Sequence, residues 1–482
     1  MTFLFLDINE ILEATGGRLL QKGPLHFTGV STDSRAIGDG ELFVALKGDR
    51  FDGNDFFAAA LERAAGAILS REPAGPPPSG KSIVLVPDTL KALQQMARRI
   101  RMKRPDMPVV GVTGSNGKTT TKELTARVLE RKNVLGTKKI AVLKGRGNLN
   151  NQIGLPLNLC RLEPGHGAAV LEMGASRPGD IEELCGIAVP THGIITNIGP
   201  SHLEGFPGGM EQIADTKLAL ARASNTIIYN ADDPLLRKAV EEEFLGRKQR
   251  GKTLISFGIR EDAHLRACGI EMGADGFTSF GLSAGGPVAR VRLAAPGLFN
   301  VYNALAAAAA GLAFGVGLEE AAKAFEGFCG VPMRYEIKKA AGVTFLSDVY
   351  NANPASMEEA VKELVRLRSS RAVAVLGDML ELGGHSEETH RRLGERLGVL
   401  GIDVFIAVGP MMALALEEFK AKVKVKEGKN EKGRIAIACA DSGQAAQELM
   451  ASLRPGDTVL IKGSRGMKME KVLPEEREAD AL

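Results

Sequence analysis

No segment constrains this chain more than residues 109–124. There a β-branched apolar run, Val109-Val110-Gly111-Val112-Thr113-Gly114, opens directly into a helix former, Ser115-Asn116-Gly117-Lys118-Thr119-Thr120-Thr121-Lys122-Glu123-Leu124. A strand that reads as a continuous apolar run is covered on both faces, and a helix following it at once carries the chain across to the next parallel strand. The alternation repeats at 168–174, 191–199 and 226–232, each an apolar segment set apart by helix-forming sequence. The pattern predicts a parallel sheet with helices on both faces.

At about 150 residues per domain, 482 residues suggest roughly three domains. Residues 1–107 alternate short strands (41–46, 66–70, 83–86) with helices (55–63, 89–103), broken internally by the Pro- and Gly-rich stretch 73–80. Arg104-Pro105-Asp106-Met107-Pro108 marks the first boundary. In the middle domain, 108–329, the strands within 253–295 are joined by Gly-containing turns, which predicts a small antiparallel sheet, and an Ala-rich helix from Val301 closes the domain. After Gly330-Val331-Pro332 a third domain, 330–482, alternates strands at 343–348, 372–377, 404–409, 434–440 and 458–463 with charged helices, a doubly wound, Rossmann-like pattern. The fold class is α/β throughout.

Charge and cysteine content exclude several functions. Lys and Arg number 61 against 58 Asp and Glu, a net +3, and no basic run is long enough to track a phosphate backbone, so nucleic acid is not an expected partner. The five cysteines are scattered without a CxxC pair, which indicates neither a disulfide framework nor a zinc site. The first residues lack a basic leader, and the longest apolar run, 304–318, is mostly alanine. That is a buried helix, too short for a membrane span, and a cytoplasmic location is expected.

The stretch Thr113, Gly114, Ser115, Asn116, Gly117, Lys118, Thr119 and Thr120 has the strand–turn–helix context of a phosphate loop. Glycines let backbone amides turn inward, the helix N-terminus attracts the anion, Lys118 reaches the β- and γ-phosphates of ATP, and Thr119 can ligate Mg²⁺. The long GxxxxGK[ST] pattern is not met, because Val112 stands where it needs Gly; the short form GxxGKT is. Glu172 and His202 follow the ends of two parallel strands, in the crevice where the loop also sits, and could hold Mg²⁺ between phosphates and a second substrate. Taken singly, each could equally be a cap or a satisfied polar group. Lys217 lies on a predicted helix, and chemistry alone assigns it no role.

In order, GVTGSNGKTTTKELTA, GNLNNQIGLPLNL, LEMGAS, SHLEGF, NADDP, NVYNALAAAAAG, SDVYNANPASM, VLGDMLELG and IKGSRGMKME resemble the Mur ligase family, and more narrowly its branch that adds D-alanyl-D-alanine. The stretch STDSRAIGDGELFVALKGDRFDGNDFF is similar to the family's UDP-recognising N-terminal domain, so the resemblance covers residues 28–470. It implies an ATP- and Mg²⁺-dependent ligase. ATP would phosphorylate the terminal carboxylate of a UDP-N-acetylmuramoyl-tripeptide, and the amine of D-alanyl-D-alanine would attack the acyl phosphate. No Ser/His/Asp or Cys/His triad is required.

The resemblance also implies roles by position. Lys118 would stabilise the transferring phosphate; Thr119 and Glu172 would hold one Mg²⁺, and His202 with a carbamylated Lys217 a second. Asn300 and Asn303 match positions that meet adenine, although Phe299 stands where the family usually has His. Arg334 would reach ATP phosphate from the C-terminal domain and Asp348 the ribose, both after domain closure; without the resemblance Arg334 reads as a surface ion pair. Asn351, Asn353 and Pro354 would shape the dipeptide pocket with Ser464 and Arg465. Ser31, Asp33, Ser34 and Arg35 are candidates for UDP, and Asn148, Asn150 and Asn151 for the sugar–peptide. The third peptide residue, L-lysine or diaminopimelate, stays open, and a monomer is expected. The rivals are another ligase of the same superfamily, a phosphate-loop kinase or NTPase, and a non-catalytic UDP-sugar-binding protein.

Overall fold

The structure is a computed structural model that describes residues 6–134, 138–245, 251–423 and 434–474. Three large sheets organise it. The first has the strand order Arg18–Gln21, Ser82–Leu85, Gly66–Leu69, Leu42–Val44, Val30–Ser31, antiparallel only at the Arg18–Gln21 edge. The second has nine strands. Six of them, Ala141–Lys144, His166–Glu172, Val109–Thr113, His192–Ile195, Thr226–Asn230 and Thr253–Gly258, lie side by side in parallel.

The expected antiparallel strands are continuous with this parallel sheet. Leu265–Met272 joins Thr253–Gly258 in parallel through two residue pairs, Phe257–Leu265 and Gly258–Arg266, and Thr278–Ser283 and Ala289–Leu293 then follow antiparallel. The antiparallel strands thus extend the parallel sheet past Thr253–Gly258, and Ala289–Leu293 becomes its edge.

Period-2 alternation divides the sheet's side chains between two cores. Val110, Val112, Ala168 and Val170 face the helices Lys118–Leu129 and Leu298–Ala313. Ala304 to Ala310 are fully buried in that cluster, because small side chains let the two helices come close; a Cβ at Gly311 would lie 2.5 Å from Val128 Cγ1. On the other face Val109, Ala169 and Leu171 share a cluster with Leu93, Met96 and Ile100 of the helix Thr89–Met102. One core therefore spans the first two sheets. The buried Arg101 adds a bond across them, its Nε donating to Ala188 O at 3.0 Å.

The third sheet has the order Glu336–Ala340, Val343–Asp348, Thr458–Lys462, Ala372–Gly377, Val404–Val408, Ile435–Cys439, parallel except at the Glu336–Ala340 edge. Its two faces carry two clusters of their own. Asp348 and Lys462 are register partners at the carboxyl ends of adjacent strands, where ligands of open α/β sheets bind. Among the described residues no helix is long and apolar enough to cross a membrane.

Candidate active site

Two glycines shape the loop between the strand Val109–Thr113 and the helix Lys118–Leu129. Gly114 has φ 146° and Gly117 φ 81°; a Cβ would lie 1.9 Å from Thr196 Oγ1 at the first and 2.3 Å from Asn303 Oδ1 at the second. The segment after the neighbouring strand holds the loop down. Asn116 N donates to Asn197 Oδ1 at 2.9 Å, while Asn197 Nδ2 and Thr196 Oγ1 donate to Asn116 O at 3.1 and 2.6 Å. The helix begins without a side-chain cap, so its first amides are left for an anion.

Lys118 Nζ donates to two carbonyls of its own loop, Gly114 O at 2.8 Å and Ser115 O at 3.2 Å. Burial lowers its pKa, Glu172 opposes the shift and Arg334 adds to it. Glu172, 3% exposed, ends the strand His166–Glu172. Its two carboxylate oxygens accept from Thr119 Oγ1 and Asn150 Nδ2, each at 2.8 Å. A carboxylate and a hydroxyl at the mouth of a phosphate loop form a hard-oxygen pair that suits Mg²⁺. Among the described residues no three His, Cys, Asp or Glu side chains gather as a metal cluster. A Mg²⁺ here would complete its shell with phosphate oxygens and water, its common habit.

His202 occupies a left-handed conformation, φ 53°, just before the turn Leu203–Gly205. Its Nδ1 lies 2.6 Å from Glu381 Oε2, a carboxylate of the C-terminal unit whose pKa this bond lowers. Lys217 is 3% exposed, and none of the described residues gives its ammonium a hydrogen-bond or ion-pair partner. Burial, reinforced by Lys118, pushes it down to about 7.

These groups surround a cavity of about 630 Å³ between the second and third sheets. Its central wall includes Ser115, Asn116, Gly117, Lys118, Thr120 and Glu172; Asn148, Asn150, Asn151, His202, Asn300 and Asn303 line it too. Asn303 Nδ2 donates to Asn300 Oδ1 at 3.2 Å, and Asn300 Nδ2 to Pro296 O at 2.7 Å, so the two amides fix each other. The facing wall carries Arg334, Asp348, Asn351 and Asn353. The Arg334 guanidinium lies 3.9 Å from the Tyr350 ring centroid, and the residues flanking it, Met333 and Tyr335, both have positive φ (65° and 54°). Asn353 caps the helix Pro354–Leu367 and spans the cavity, its Nδ2 donating to Asn116 Oδ1 at 2.8 Å.

Other expected site residues stand elsewhere or are already engaged. Thr113, Gly114, Thr119 and Lys217 sit behind the cavity surface. Ser464 is buried, accepting from Leu380 N at 2.9 Å and donating to Ala352 O at 3.4 Å; Arg465 pairs with Glu470 at 3.1 Å, and neither lines the cavity. Asp348 is occupied by Lys462, whose ammonium also donates to Asn351 O at 2.9 Å. Ser31, Asp33, Ser34 and Arg35 form a separate turn in the first unit. There Arg35 grips Asp33 through Nε at 2.9 Å and Nη2 at 2.8 Å, holding that carboxyl at about 2.

Sequence reasoning singled out neither Asn197 nor Glu381. Glu381 lies inside the quoted VLGDMLELG and Asn197 within the apolar segment 191–199, but each acts on a residue distant in sequence, which no local pattern reports.

A glycine-shaped loop, a carboxylate at its mouth and an arginine on the facing wall are the parts of a nucleotide-handling α/β protein. The "Mur ligase family, catalytic domain" matches residues 26–101, the "Mur ligase middle domain" 112–311 and the "Mur ligase, glutamate ligase domain" 333–465. The UDP-N-acetylmuramoyl-tripeptide–D-alanyl-D-alanine ligase of Bacillus subtilis (strain 168) is 36% identical, over 92% of this chain and 92% of its own. That of Escherichia coli (strain K12) is 32% identical over 97% of both. Among solved structures, MurF of Acinetobacter baumannii superposes with a TM-score of 0.83 at 31% identity, covering 97% of each chain. MurF ligase of Thermotoga maritima, solved in complex with ADP, gives 0.74 at 31% identity, covering 92% of this chain and 96% of its own. The chain belongs to the Mur ligase family.

Proposed function

We propose that this chain uses ATP to join D-alanyl-D-alanine to the terminal carboxylate of UDP-N-acetylmuramoyl-tripeptide in the cytoplasm. The observation that carries the reading is the cavity, which puts the phosphate loop and Glu172 opposite Arg334 and the YNANP segment. Near-full-length relatives bearing that activity in their names support it. The domain divisions follow the same reading, near 107 and 329, in the gaps between the three family matches.

The γ-phosphoryl group passes from ATP to the peptide carboxylate; the dipeptide amine attacks the acyl carbon, and phosphate leaves with its electron pair. Lys118 releases its loop carbonyls to meet the transferring phosphate, and Arg334 faces it from the other wall, so charge is stabilised from both sides. Thr119 and Glu172 would hold one Mg²⁺ and His202 a second. A metal held there would supply charge to offset the phosphates and a Lewis acid for the acyl oxygen. The C-terminal wall excludes water from an intermediate that water would otherwise hydrolyse. Lys217 takes up CO₂ through its neutral amine, releasing a proton and gaining a metal-binding carbamate. Its burial and lack of a partner support this. Activity that is unchanged in CO₂-free buffer would remove that role.

The deciding experiment measures phosphate release from ATP with UDP-muramoyl-tripeptide, with and without D-alanyl-D-alanine, alongside mass detection of the pentapeptide. Dipeptide-dependent release with matching product supports the ligase. Release indifferent to the dipeptide, without product, returns the chain to the NTPase reading.

A further inference from the structure

The turn at 378–383 is held from both sides. Within the C-terminal unit, His390 is fully buried and its Nε2 accepts from Met379 N at 3.0 Å, while Ser464 Oγ accepts from Leu380 N at 2.9 Å. Outward, Glu381 leaves the turn with φ 64°. Its carboxylate meets His202 Nδ1 at 2.6 Å, and its carbonyl accepts from Glu204 N at 3.3 Å. Both non-glycine residues of this contact, His202 and Glu381, are left-handed, a backbone state that persists only where surroundings enforce it.

An ionised carboxylate can only accept, so Nδ1 carries a proton, and in the neutral imidazole that a cation requires the free lone pair is then on Nε2. Metal-binding imidazoles are oriented in this manner by a carboxylate on the other ring nitrogen. Here the carboxylate comes from a different unit.

We propose that Glu381 is a positioning residue that fixes His202 with Nε2 presented to a cation, so that this part of the ligand set forms only when the C-terminal unit is docked on the central one. The inference rests on the Mg²⁺ reading of the proposed function. It makes the docked state and metal affinity two faces of one contact.

The test titrates Mn²⁺ into the ADP-loaded protein and follows free Mn²⁺ by electron paramagnetic resonance, with no turnover required. Glu381→Ala is expected to weaken Mn²⁺ binding about 10- to 100-fold. Glu381→Gln, which still accepts from Nδ1, recovers most of it, and the thermal midpoint moves little, since Glu381 is 57% exposed at its side chain. Gly383→Val leaves every proposed ligand in place but sets a branched side chain in a left-handed position (φ 54°), where its Cβ would lie 3.5 Å from Glu204 Cα. It should reproduce the loss by lifting the turn. Wild-type affinity in Glu381→Ala overturns the positioning role; wild-type affinity in Gly383→Val overturns its dependence on docking. A protein that shows these losses yet makes no dipeptide-dependent product supports the inference and overturns the ligase reading alone.

Discussion

The central unit meets its two neighbours in different ways. Toward the N-terminal unit the seam is a single apolar core in which Leu93, Met96 and Ile100 share a cluster with Leu155, Leu159, Ile181 and Leu184. Toward the C-terminal unit the seam is the cavity itself. The seam is crossed by the Asn353–Asn116 bond, the Glu381–His202 pair, the backbone hydrogen bond from Glu204 N to Glu381 O and Arg366 Nη1 on Met272 O at 3.0 Å, with Leu203 and Phe299 partly buried against the C-terminal core. Net hydrogen bonds contribute roughly 0.5–1.5 kcal/mol each, whereas parting a shared core exposes many side chains at about 1.5–3 kcal/mol apiece. On these magnitudes the first seam is expected to stay shut and the second to part at less cost, which substrate entry and water exclusion in the proposed reaction would use.

The sharpest contrast comes from the loop. If Lys118 meets the transferring phosphate as proposed, Lys118→Ala is expected to lower kcat by about 10³-fold or more, roughly 4 kcal/mol. The thermal midpoint should not move, because Lys118 bonds only the carbonyls of its own loop. A loss under tenfold in product formation would take Lys118 out of the chemistry. On the sealed seam the effects invert. Met96→Ala should cost about 3 kcal/mol of stability by calorimetry, within the usual 2–5 for a fully buried methionine, while kcat at 25 °C stays within about twofold. If the N-terminal unit instead melted alone in an earlier transition, the shared core would not be what couples the two units.

The same contrast explains what the sequence disclosed. The strand, loop and helix at 109–129 were legible because each element is specified by adjacent residues: a β-branched run, two glycines, then helix formers. The alternation of the third sheet was legible for the same reason. The seams were not. Nothing near Met96 announces that its helix covers the nine-stranded sheet, and nothing near Glu381 announces His202. Ser464 shows the limit of motif reasoning. It lies two residues past the strand Thr458–Lys462, whose carboxyl edge faces the cavity, yet its hydroxyl turns inward to tie the Leu380 and Ala352 segments together. The side-chain direction was set by packing, not by position in the motif. Continuity of the antiparallel strands with the parallel sheet was likewise hidden, because it rests on two residue pairs, Phe257–Leu265 and Gly258–Arg266.

Asn353 tests the polar seam at its finest grain, because one side chain does two jobs. Its Oδ1 accepts from Ser356 N at 2.9 Å and caps the helix Pro354–Leu367, while its Nδ2 reaches Asn116 across the cavity at 2.8 Å. Asn353→Ser separates them. A serine hydroxyl caps a helix about as well as an amide oxygen, but it is too short to cross to the loop. Stability should therefore stay within about 0.5 kcal/mol, while kcat/KM for ATP falls about two- to tenfold, the worth of one net hydrogen bond. Asn353→Ala adds the loss of the cap, about 1 kcal/mol. If both substitutions cut activity and stability in proportion, Asn353 serves only its helix, and the seam has lost one of the bonds on which its reversibility was argued. If serine costs activity alone, the loop and the C-terminal wall are coupled through a contact weak enough to break in each catalytic cycle.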